Sequence, residues 1–295
     1  MDGVVVIDKP QGLTSHDVVA AARRAFREKR IGHTGTLDPM ATGVLPLACG
    51  RATRLVRFLS ASDKDYEAAI AVGFTTDTLD VTGSETSRSD RYPELATVEQ
   101  SLASLTGDYL QMPPAYSAKK VAGTRAYELA RRDEPVALTA VPVKVPRVEL
   151  LAFDGRTARV ALTCSAGFYV RSFAQSLGEL VGTGACLQAL RRTRSGEFGL
   201  GDAVSLAVLA ESPDAAAARV VPLERLLERF PAVHLTSEER VFVAHGRMLE
   251  RSIDRTESDP ASTEWVRLVD PDGRLVALAT PGTRPGSLHP AVVLI

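Results

Sequence analysis

The chain has 295 residues, of which 45% are hydrophobic and 24% charged, a composition typical of a folded globular protein rather than a disordered one. Its formal net charge of −1 excludes the global basic field of a nonspecific nucleic-acid binder. No apolar run approaches the roughly 18 residues of a membrane-spanning helix, and the N-terminus lacks a signal-peptide pattern. We therefore expect a cytoplasmic protein without a membrane partner.

The chain opens with an apolar run, "VVVID" at residues 4–8, which predicts a strand, followed by a turn at "KPQGL". Thr14 and Asp17 then have the spacing of a capping box, which predicts the start of a helix. Apolar residues recur at helical spacing beyond it, so that the arginines of "ARRAFREKR" are expected to face outward.

The stretch "RIGHTGTLDPMATGVLPLACG", residues 30–50, places a lone acid, Asp38, directly before Pro39. Asp-Pro is a common turn dipeptide, because proline restricts both residues and the aspartate oxygen can cap nearby N–H groups. The Gly-Val-Leu-Pro-Leu segment that follows predicts a strand. From these residues alone, a structural turn is favoured over a functional acid.

Two alternating strands, over 148–153 and 157–164, flank an Asp-Gly turn, which is a strong hairpin signal. An amphipathic helix over 170–181 follows. Tyr169 and Arg171 therefore lie where strand structure passes into a helix, a position that is rigid yet open to a cleft.

Helical periodicity continues through "VSLAVLAE" and "DAAAARVVPLERLLERF" to about Phe230. A further capping box begins at Thr236, and "EWVRLVDPDGRLVALA" predicts a second hairpin. The polar stretch "RSIDRTESDPAST" between them predicts a mobile loop. We therefore divide the chain into a large unit, residues 1–230, and a small β-rich unit, residues 231–295.

The cysteines and the histidines show no metal-binding spacing. The three cysteines, Cys49, Cys164 and Cys186, are far apart and surrounded by apolar residues, which predicts buried, reduced thiols in preference to a disulfide framework or a zinc site. The five histidines are scattered. We expect no metal and no other cofactor.

Basic residues are concentrated at three places, in "ARRAFREKR", "SAKKVAGTRAYELARR" and "LRRTRSG", whereas acids gather over 77–99 and 250–272. The third cluster holds Arg191, Arg192 and Arg194. Such segregation is typical of a protein that binds a polyanion on one face, although a solvated helix face explains any single cluster equally well.

Five long motifs occur in order between residue 3 and about residue 200, namely "GVVVIDKPQGLTSHDVV", "RIGHTGTLDPMATGVLPLACGRATR", "DKDYEA", "QMPPAYSAKKVAGTRAYELAR" and "CSAGFYVRSFAQSLGELVGTGACLQALRRTRSGEF". This series closely resembles the TruB family of bacterial tRNA pseudouridine synthases. The resemblance implies an α+β fold, with a central mixed, mostly antiparallel sheet flanked by helices, and a small C-terminal PUA-like β domain. It also implies isomerisation of uridine 55 in the T-loop of tRNA to pseudouridine, after flipping of the base.

The resemblance implies a catalytic role for four residues. Asp38 matches the catalytic aspartate of the family, and Arg171 matches an arginine that pairs with that acid. Tyr66 matches an active-site tyrosine that stacks on the target base and is a candidate proton acceptor. Tyr169 is expected to pack beside the pocket and to orient Arg171. The residues leave open whether Asp38 attacks C1′ of the sugar or assists loss of the base through a glycal-type intermediate.

The same resemblance implies RNA contacts for a further group of residues. His33 matches a histidine that stacks against the disrupted loop, Leu190 an apolar residue near the flipped base, and Lys9 a residue that supports the site or contacts phosphate. An insertion over about 107–135 is expected to grip the T-arm, with phosphate contacts from Lys119, Lys120 and Arg125. The expected partner is therefore the T-arm of tRNA, bound by a monomer.

Two other functions compete with the synthase. An RNA-folding module would use the same basic surfaces without the chemistry and would survive loss of Asp38. A hydrolase of nucleosides or glycosides is disfavoured, because such sites use a second carboxylate at a defined separation and the motifs contain none. The C-terminal unit matches the family less well: "AHGR" and "VDPDGRLVALA" resemble segments of PUA domains, but residues 250–264 are acidic and the unit is short.

Overall fold

The computed structural model describes residues 1–117, 119–121, 123–130, 132, 134, 137–251 and 265–295. The predicted loop "RSIDRTESDPAST" lies almost entirely outside these ranges. Within them, no helix is long and apolar enough to cross a bilayer.

The α-helices are α1 Ser15–Phe26, α2 Val56–Ser60, α3 Leu95–Ser104, α4 Ala126–Ala130, α5 Val170–Leu180, α6 Leu206–Glu211, α7 Pro213–Ala217 and α8 Ser237–Ala244, and short 3-10 turns occur at Gly50–Leu55, Leu200–Asp202 and Leu223–Arg225. The strands are β1 Gly3–Lys9, β2 Ile31–His33, β3 Thr42–Cys49, β4 Lys64–Val72, β5 Phe74–Thr76, β6 Glu85–Arg88, β7 Gly107–Gln111, β8 Lys120–Val121, β9 Thr124–Arg125, β10 Val141–Val145, β11 Arg147–Phe153, β12 Thr157–Cys164, β13 Ala185–Ser195, β14 Phe198–Gly199, β15 Ala203–Ser205, β16 Val221–Pro222, β17 Ala232–His234, β18 Val266–Val269, β19 Leu275–Pro281 and β20 Leu288–Val293.

The largest sheet is mixed and mostly antiparallel. Its central order is β11-β12-β4-β13-β3-β1-β15, with β14, β16 and β2 attached at its margins. Its parallel pairs are β1 with β15 and β13 with β3, and the other pairs are antiparallel. A separate four-stranded sheet, β17-β18-β19-β20, follows near the C-terminus. This arrangement confirms the predicted α+β fold class with its small C-terminal β unit.

One face of the large sheet is covered by α1, α3 and α5, which share a single apolar core with it. On β1, Val5 and Ile7 enter this core, whereas Val4 and Val6 enter a second cluster on the opposite face. Both faces of β1 are therefore buried, which explains its unbroken apolar run. The second cluster also contains Leu278 of β19, so the small C-terminal sheet packs directly against the large one.

Local sequence signals located several element boundaries correctly. Thr14 and Asp17 form a capping box at the start of α1, and Thr236 caps α8 in the same way. The predicted hairpins are the pairs β11–β12 and β18–β19. The three cysteines are free and buried, as predicted.

The prediction of a helix up to Phe230 is wrong. Helix α7 ends at Ala217, and Val221–Pro222 form a short strand that pairs with the start of β1. Pro222 lacks the N–H that a helix interior requires, and Leu227 adopts a left-handed φ of 59°. The second cluster buries Leu223, Leu226 and Leu227. These leucines lie in and just after the 3-10 turn Leu223–Arg225, and their spacing therefore resembles that of a helix. The predicted helix "VSLAVLAE" is also shorter, because Ser205 caps it from the end of β15.

Candidate active site

Asp38 lies in the loop between β2 and β3, at the first position of a tight turn. The backbone N–H of Ala41 donates to the carbonyl of Asp38 at 3.0 Å, with Pro39 and Met40 between them. The predicted Asp-Pro turn is therefore present. The Asp38 side chain keeps 33% of its surface exposed, so the turn presents the carboxylate to solvent instead of using it as a cap.

Lys9, at the end of β1, forms a hydrogen bond with this turn. Its ammonium group is fully buried and donates to the carbonyl oxygens of Pro10, Leu13 and Pro39 at 2.9, 2.7 and 3.3 Å. Burial lowers the pKa of Lys9 to about 8, while the charge of Asp38 opposes that shift. Of the two roles expected for Lys9, these contacts favour support of the site over a phosphate contact.

Arg171, in the first turn of α5, forms a bidentate ion pair with Asp38. Its Nε donates to Asp38 Oδ2 at 2.8 Å and its Nη2 to Oδ1 at 3.2 Å. The guanidinium also donates hydrogen bonds to the carbonyl oxygens of Thr78 and Tyr116 at 3.0 and 2.9 Å. The Arg171 side chain is only 7% exposed, and this fork holds the carboxylate in one orientation.

A second carboxylate, Asp80, completes the surroundings of Arg171 and was missed by the sequence analysis. Its Oδ2 lies 3.8 Å from Arg171 Nε, and its side chain is 6% exposed. Its Oδ1 accepts from the Thr82 amide at 3.0 Å and from the Thr78 hydroxyl at 2.9 Å. Leu79, beside it, has a left-handed φ of 65°, a conformation that costs energy for such a side chain. In the sequence, Asp80 is one of several acids over residues 77–99 and has no feature that separates it from the others.

Tyr66 lies on β4 in the middle of the sheet, with its side chain in the helix-covered core and 8% of its surface exposed. Burial raises the pKa of its phenol, and the charge of Arg192 opposes the shift. Leu190 on β13 pairs with Ala68 of β4 and belongs to the same core cluster. The sheet therefore brings Tyr66 and Leu190 to one face.

Tyr169 is the N-cap of α5 and adopts an extended backbone. Burial raises the pKa of its phenol. The side chain of Gln111, at the end of β7, accepts from the Tyr169 amide at 2.9 Å and donates to the Tyr169 carbonyl at 3.1 Å. Ser172 also donates to the carbonyl of Met112 at 2.7 Å. The start of the predicted insertion, at Gln111 and Met112, is thus joined to the helix that carries Arg171. No local sequence motif indicates this connection between distant residues.

His33, on β2, lies against His16 of α1, with ring centroids 5.6 Å apart in an edge-to-face arrangement. Burial lowers the pKa of His33, and the neighbouring charge of His16 acts in the same direction. A neutral ring can stack on a base without carrying a buried charge. In the described part of the chain, no hydrogen bond joins His33 to Asp38.

The predicted RNA-gripping residues lie in and beside a small hairpin. Lys120 and Arg125 are backbone partners in the β8–β9 pair. The Lys119 ammonium group donates to the carbonyl of Thr139 at 3.0 Å. In the chain the hairpin lies between β7 and β10, which pair with each other. The two ends of this segment are therefore held together by a strand pair.

The basic cluster "LRRTRSG" does not form a free cationic surface, contrary to its interpretation as a polyanion-binding cluster. Arg191 pairs with Asp8 at 2.8 Å and Arg194 with Asp65 at 2.6 Å. Arg192 is 1% exposed. Strand alternation places Arg191 and Arg192 on opposite faces. A shift of register between Arg192 and Arg194 then returns Arg194 to the face of Arg191, so that two of the arginines meet acids and the third is buried.

The fold that carries this site, a solvent-accessible aspartate held by a buried arginine on a mixed sheet that also bears a buried tyrosine, is similar to the fold of solved structures. A solved structure described as a Cbf5-Nop10-Gar1 complex superposes with a TM-score of 0.75 at 26% identity, over 99% of this chain and 85% of that chain. An H/ACA RNP bound to a substrate RNA containing 2'-deoxyuridine gives 0.74 at 25% identity, with the same coverage.

Two family models match consecutive parts of the chain. The N-terminal domain of the TruB family pseudouridylate synthases matches residues 23–170, and the C-terminal domain of tRNA pseudouridylate synthase B matches residues 171–228. tRNA pseudouridine synthase B of Solibacter usitatus is 45% identical over 100% of both chains. That of Corynebacterium aurimucosum is 43% identical, over 94% of this chain and 91% of the relative. The chain therefore belongs to the TruB family, and it is an isomerase that forms pseudouridine.

The two family matches meet at the start of α5, and the second includes β13 from the middle of the large sheet. Together they form one folded unit rather than two. The predicted division at residue 230 lies just beyond the second match and stays a prediction.

Proposed function

We propose that this chain isomerises uridine 55 in the T-loop of tRNA, with Asp38 as the catalytic carboxylate. The observation that carries the proposal is the bidentate contact of Arg171 with Asp38, at 2.8 and 3.2 Å, in a member of a pseudouridine synthase family. The paired guanidinium holds both carboxylate oxygens in one orientation, which positions the acid for either chemical route. The exposed third of the Asp38 side chain is the part that can reach a sugar.

The reaction breaks the bond between N1 and C1′, turns the base, and joins C5 to C1′. The proton lost from C5 is balanced by a proton gained at N1, so no electron or group leaves the nucleoside. Asp38 acts either by attack at C1′ or by assisting a glycal-type route. In either route, Tyr66 and Leu190 would form an apolar wall for the flipped base, and water exclusion would strengthen the contact between Asp38 and the sugar.

The RNA would be held by contacts outside this pocket. We infer phosphate contacts from Lys119, Lys120 and Arg125 and stacking from His33, with Tyr169 orienting Arg171. Lys9 would act on the Asp38 turn and not on the RNA, because its ammonium group is buried against three carbonyl oxygens. The unit over residues 231–295 would be a PUA-like RNA-binding domain of a monomeric enzyme.

The test is release of tritium from C5-tritiated uridine in an unmodified tRNA transcript, with the modified position mapped afterwards. We expect release by the wild type at position 55 and none by Asp38→Asn, whose tRNA affinity should stay within about tenfold of the wild type because the change affects the chemical step. A large loss of affinity in the variant would contradict the catalytic assignment. Tight tRNA binding by the wild type without release would favour an RNA-folding activity, and free uracil would indicate a hydrolase.

A further inference from the structure

Arg192, on β13, is among the largest fully buried side chains of the protein. Its neighbours Arg191 and Arg194 form ion pairs, but the ion pairs between described residues do not include Arg192. Its Nε donates to the carbonyl of Val44 at 2.7 Å and its Nη2 to the carbonyl of Gly35 at 3.1 Å. A buried cation of this kind carries a desolvation cost of several kcal/mol, which the contacts must offset.

The two carbonyl oxygens lie on either side of Asp38. Gly35 precedes it in the loop after β2, and Val44 follows it in β3. One guanidinium therefore joins the two ends of the loop that carries the carboxylate. We call these two ends, at Gly35 and Val44, the neck of the loop. A third, longer contact of 3.5 Å to the carbonyl of Thr36 lies in the same neck.

Gly43 allows β13 to come close enough for this contact. It pairs with Arg192 in the parallel β13–β3 ladder. A Cβ on Gly43 would lie 2.2 Å from the Arg192 carbonyl oxygen, and the glycine has a left-handed φ of 101°. Any other residue there would push the strands apart, so the backbone is built around this approach.

Arg192 also faces Tyr66. The two residues are direct partners in the antiparallel β13–β4 ladder, so their side chains lie on the same face of the sheet. Burial raises the pKa of the Tyr66 phenol, and the nearby charge of Arg192 opposes that rise. A single side chain thus holds the loop of the Asp38 carboxylate and lies directly across the strand pair from the candidate base-stacking tyrosine.

We propose that Arg192 is a positioning residue that fixes the Asp38 loop relative to Tyr66. The inference rests on the proposed function, since it assigns a task within the same site. Arginine suits the task because its planar fork reaches carbonyl oxygens in several directions, whereas lysine offers one nitrogen. A displacement of about 1 Å in a reacting group can cost about a hundredfold in rate, so a loosened neck would slow the reaction without touching the RNA.

The test compares Arg192→Lys with Arg191→Lys. The second is a matched control, because Arg191 is the next residue, points to the opposite face and pairs with Asp8 there. Single-turnover tritium release and tRNA affinity are measured on proteins shown to be folded by circular dichroism. For Arg192→Lys we expect a rate about 100-fold lower with affinity within about threefold, and for Arg191→Lys both within about twofold.

A wild-type rate for folded Arg192→Lys would overturn the proposal, as would a loss of affinity that accounts for the whole loss of rate. If Arg192→Lys does not fold, Arg192→Gln replaces it, since a neutral side chain removes the buried charge but still cannot join Gly35 to Val44. The proposed function fails separately, if the wild type itself releases no tritium.

A second readout isolates the contact with Tyr66. Arg192→Lys is measured in the wild type and in Tyr66→Phe, which lacks the hydroxyl group. We expect a smaller effect in Tyr66→Phe, because residues that share a contact are not additive. An equal effect in both backgrounds would overturn the part of the proposal that concerns Tyr66.

Discussion

Neighbouring arginines on the two faces of strand β13 differ in burial and in the groups that they bind. Arg192 points to the helix-covered face, is buried and binds backbone carbonyl oxygens. Arg191 and Arg194 lie on the other face, are each 39% exposed and pair with carboxylates. The same side chain therefore holds a loop in one environment and forms a solvated ion pair in the other. Position relative to the covering helices, rather than residue type, separates a candidate site residue from a surface charge.

The cations of the covered face differ among themselves as well. Lys9 and Arg192 hold backbone carbonyl oxygens at the base and neck of the Asp38 loop. Arg171 alone among these three meets carboxylates, Asp38 in a bidentate contact and Asp80 at 3.8 Å. Two cations thus hold the backbone of the loop, and the third fixes the orientation of the carboxylate that the loop carries. Variants on the two faces should therefore separate into those that slow the reaction and those that do not.

Apart from the loss of release in Asp38→Asn, the largest effect on rate, equal to that of Arg192→Lys, is expected for Asp80→Asn. The change keeps the size of the side chain but leaves Arg171 with one carboxylate partner instead of two, and breaking a buried charge pair costs roughly 3 kcal/mol. We expect single-turnover tritium release to fall about 100-fold, with tRNA affinity nearly unchanged. Asp77→Asn, an exposed acid in the same loop, is the control and should keep the wild-type rate within about twofold. Equal rates for the two variants would remove Asp80 from the site.

A smaller effect is expected for Gln111→Ala. The variant loses both hydrogen bonds to the Tyr169 backbone. It leaves the Tyr169 amide without this partner, at a cost of roughly 1–3 kcal/mol, whereas the Tyr169 carbonyl still accepts from the Phe173 amide. Because Tyr169 caps the helix that carries Arg171, part of that cost should appear as a roughly tenfold lower rate of chemistry. Gln188→Ala, on the exposed part of β13, should leave the rate unchanged. A loss of stability without any loss of rate would confine Gln111 to folding.

The parts of the molecule that the sequence predicted are those that depend on neighbouring residues. The capping box at Thr14, the Asp-Gly hairpin and the Asp38 turn each need three or four consecutive side chains, and each is present. Asp38 could be singled out only by the resemblance to a family, because an Asp-Pro turn by itself is a common structural feature.

The parts that the sequence did not predict depend on contacts between distant residues. Gln111 meets Tyr169 across 58 positions, and Arg192 meets Gly35 across 157. No periodicity reports such contacts, so a buried glutamine and a buried arginine resemble surface residues in a sequence. The false helix before Phe230 has a similar origin, because burial of leucines in a neighbouring core imitated helical spacing.

The smallest effect is expected for Arg194→Ala, on the open face. Its ion pair with Asp65 is partly exposed, with side chains 39% and 31% accessible, and such pairs contribute at most about 1 kcal/mol. Unfolding by urea should therefore show a loss within about 1 kcal/mol that shrinks in high salt, and the rate of tritium release should not change. A rate loss comparable to that of Arg192→Lys would remove the distinction between the two faces.

The pH dependence of that loss gives the sign of the interaction. Burial raises the pKa of Asp65, but the hydrogen bond and charge of Arg194 outweigh it and the net shift is downward from 3.8. A carboxylate with a lowered pKa in the folded state stabilises the fold above its unfolded pKa, and the contribution disappears as the pH falls through the folded value. The difference in unfolding free energy between wild type and Arg194→Ala should therefore be constant near neutral pH and vanish in acid. A difference that persists below the folded pKa of Asp65 would have to come from the packing of the arginine side chain and its bond to the Gly196 carbonyl, and not from the ion pair.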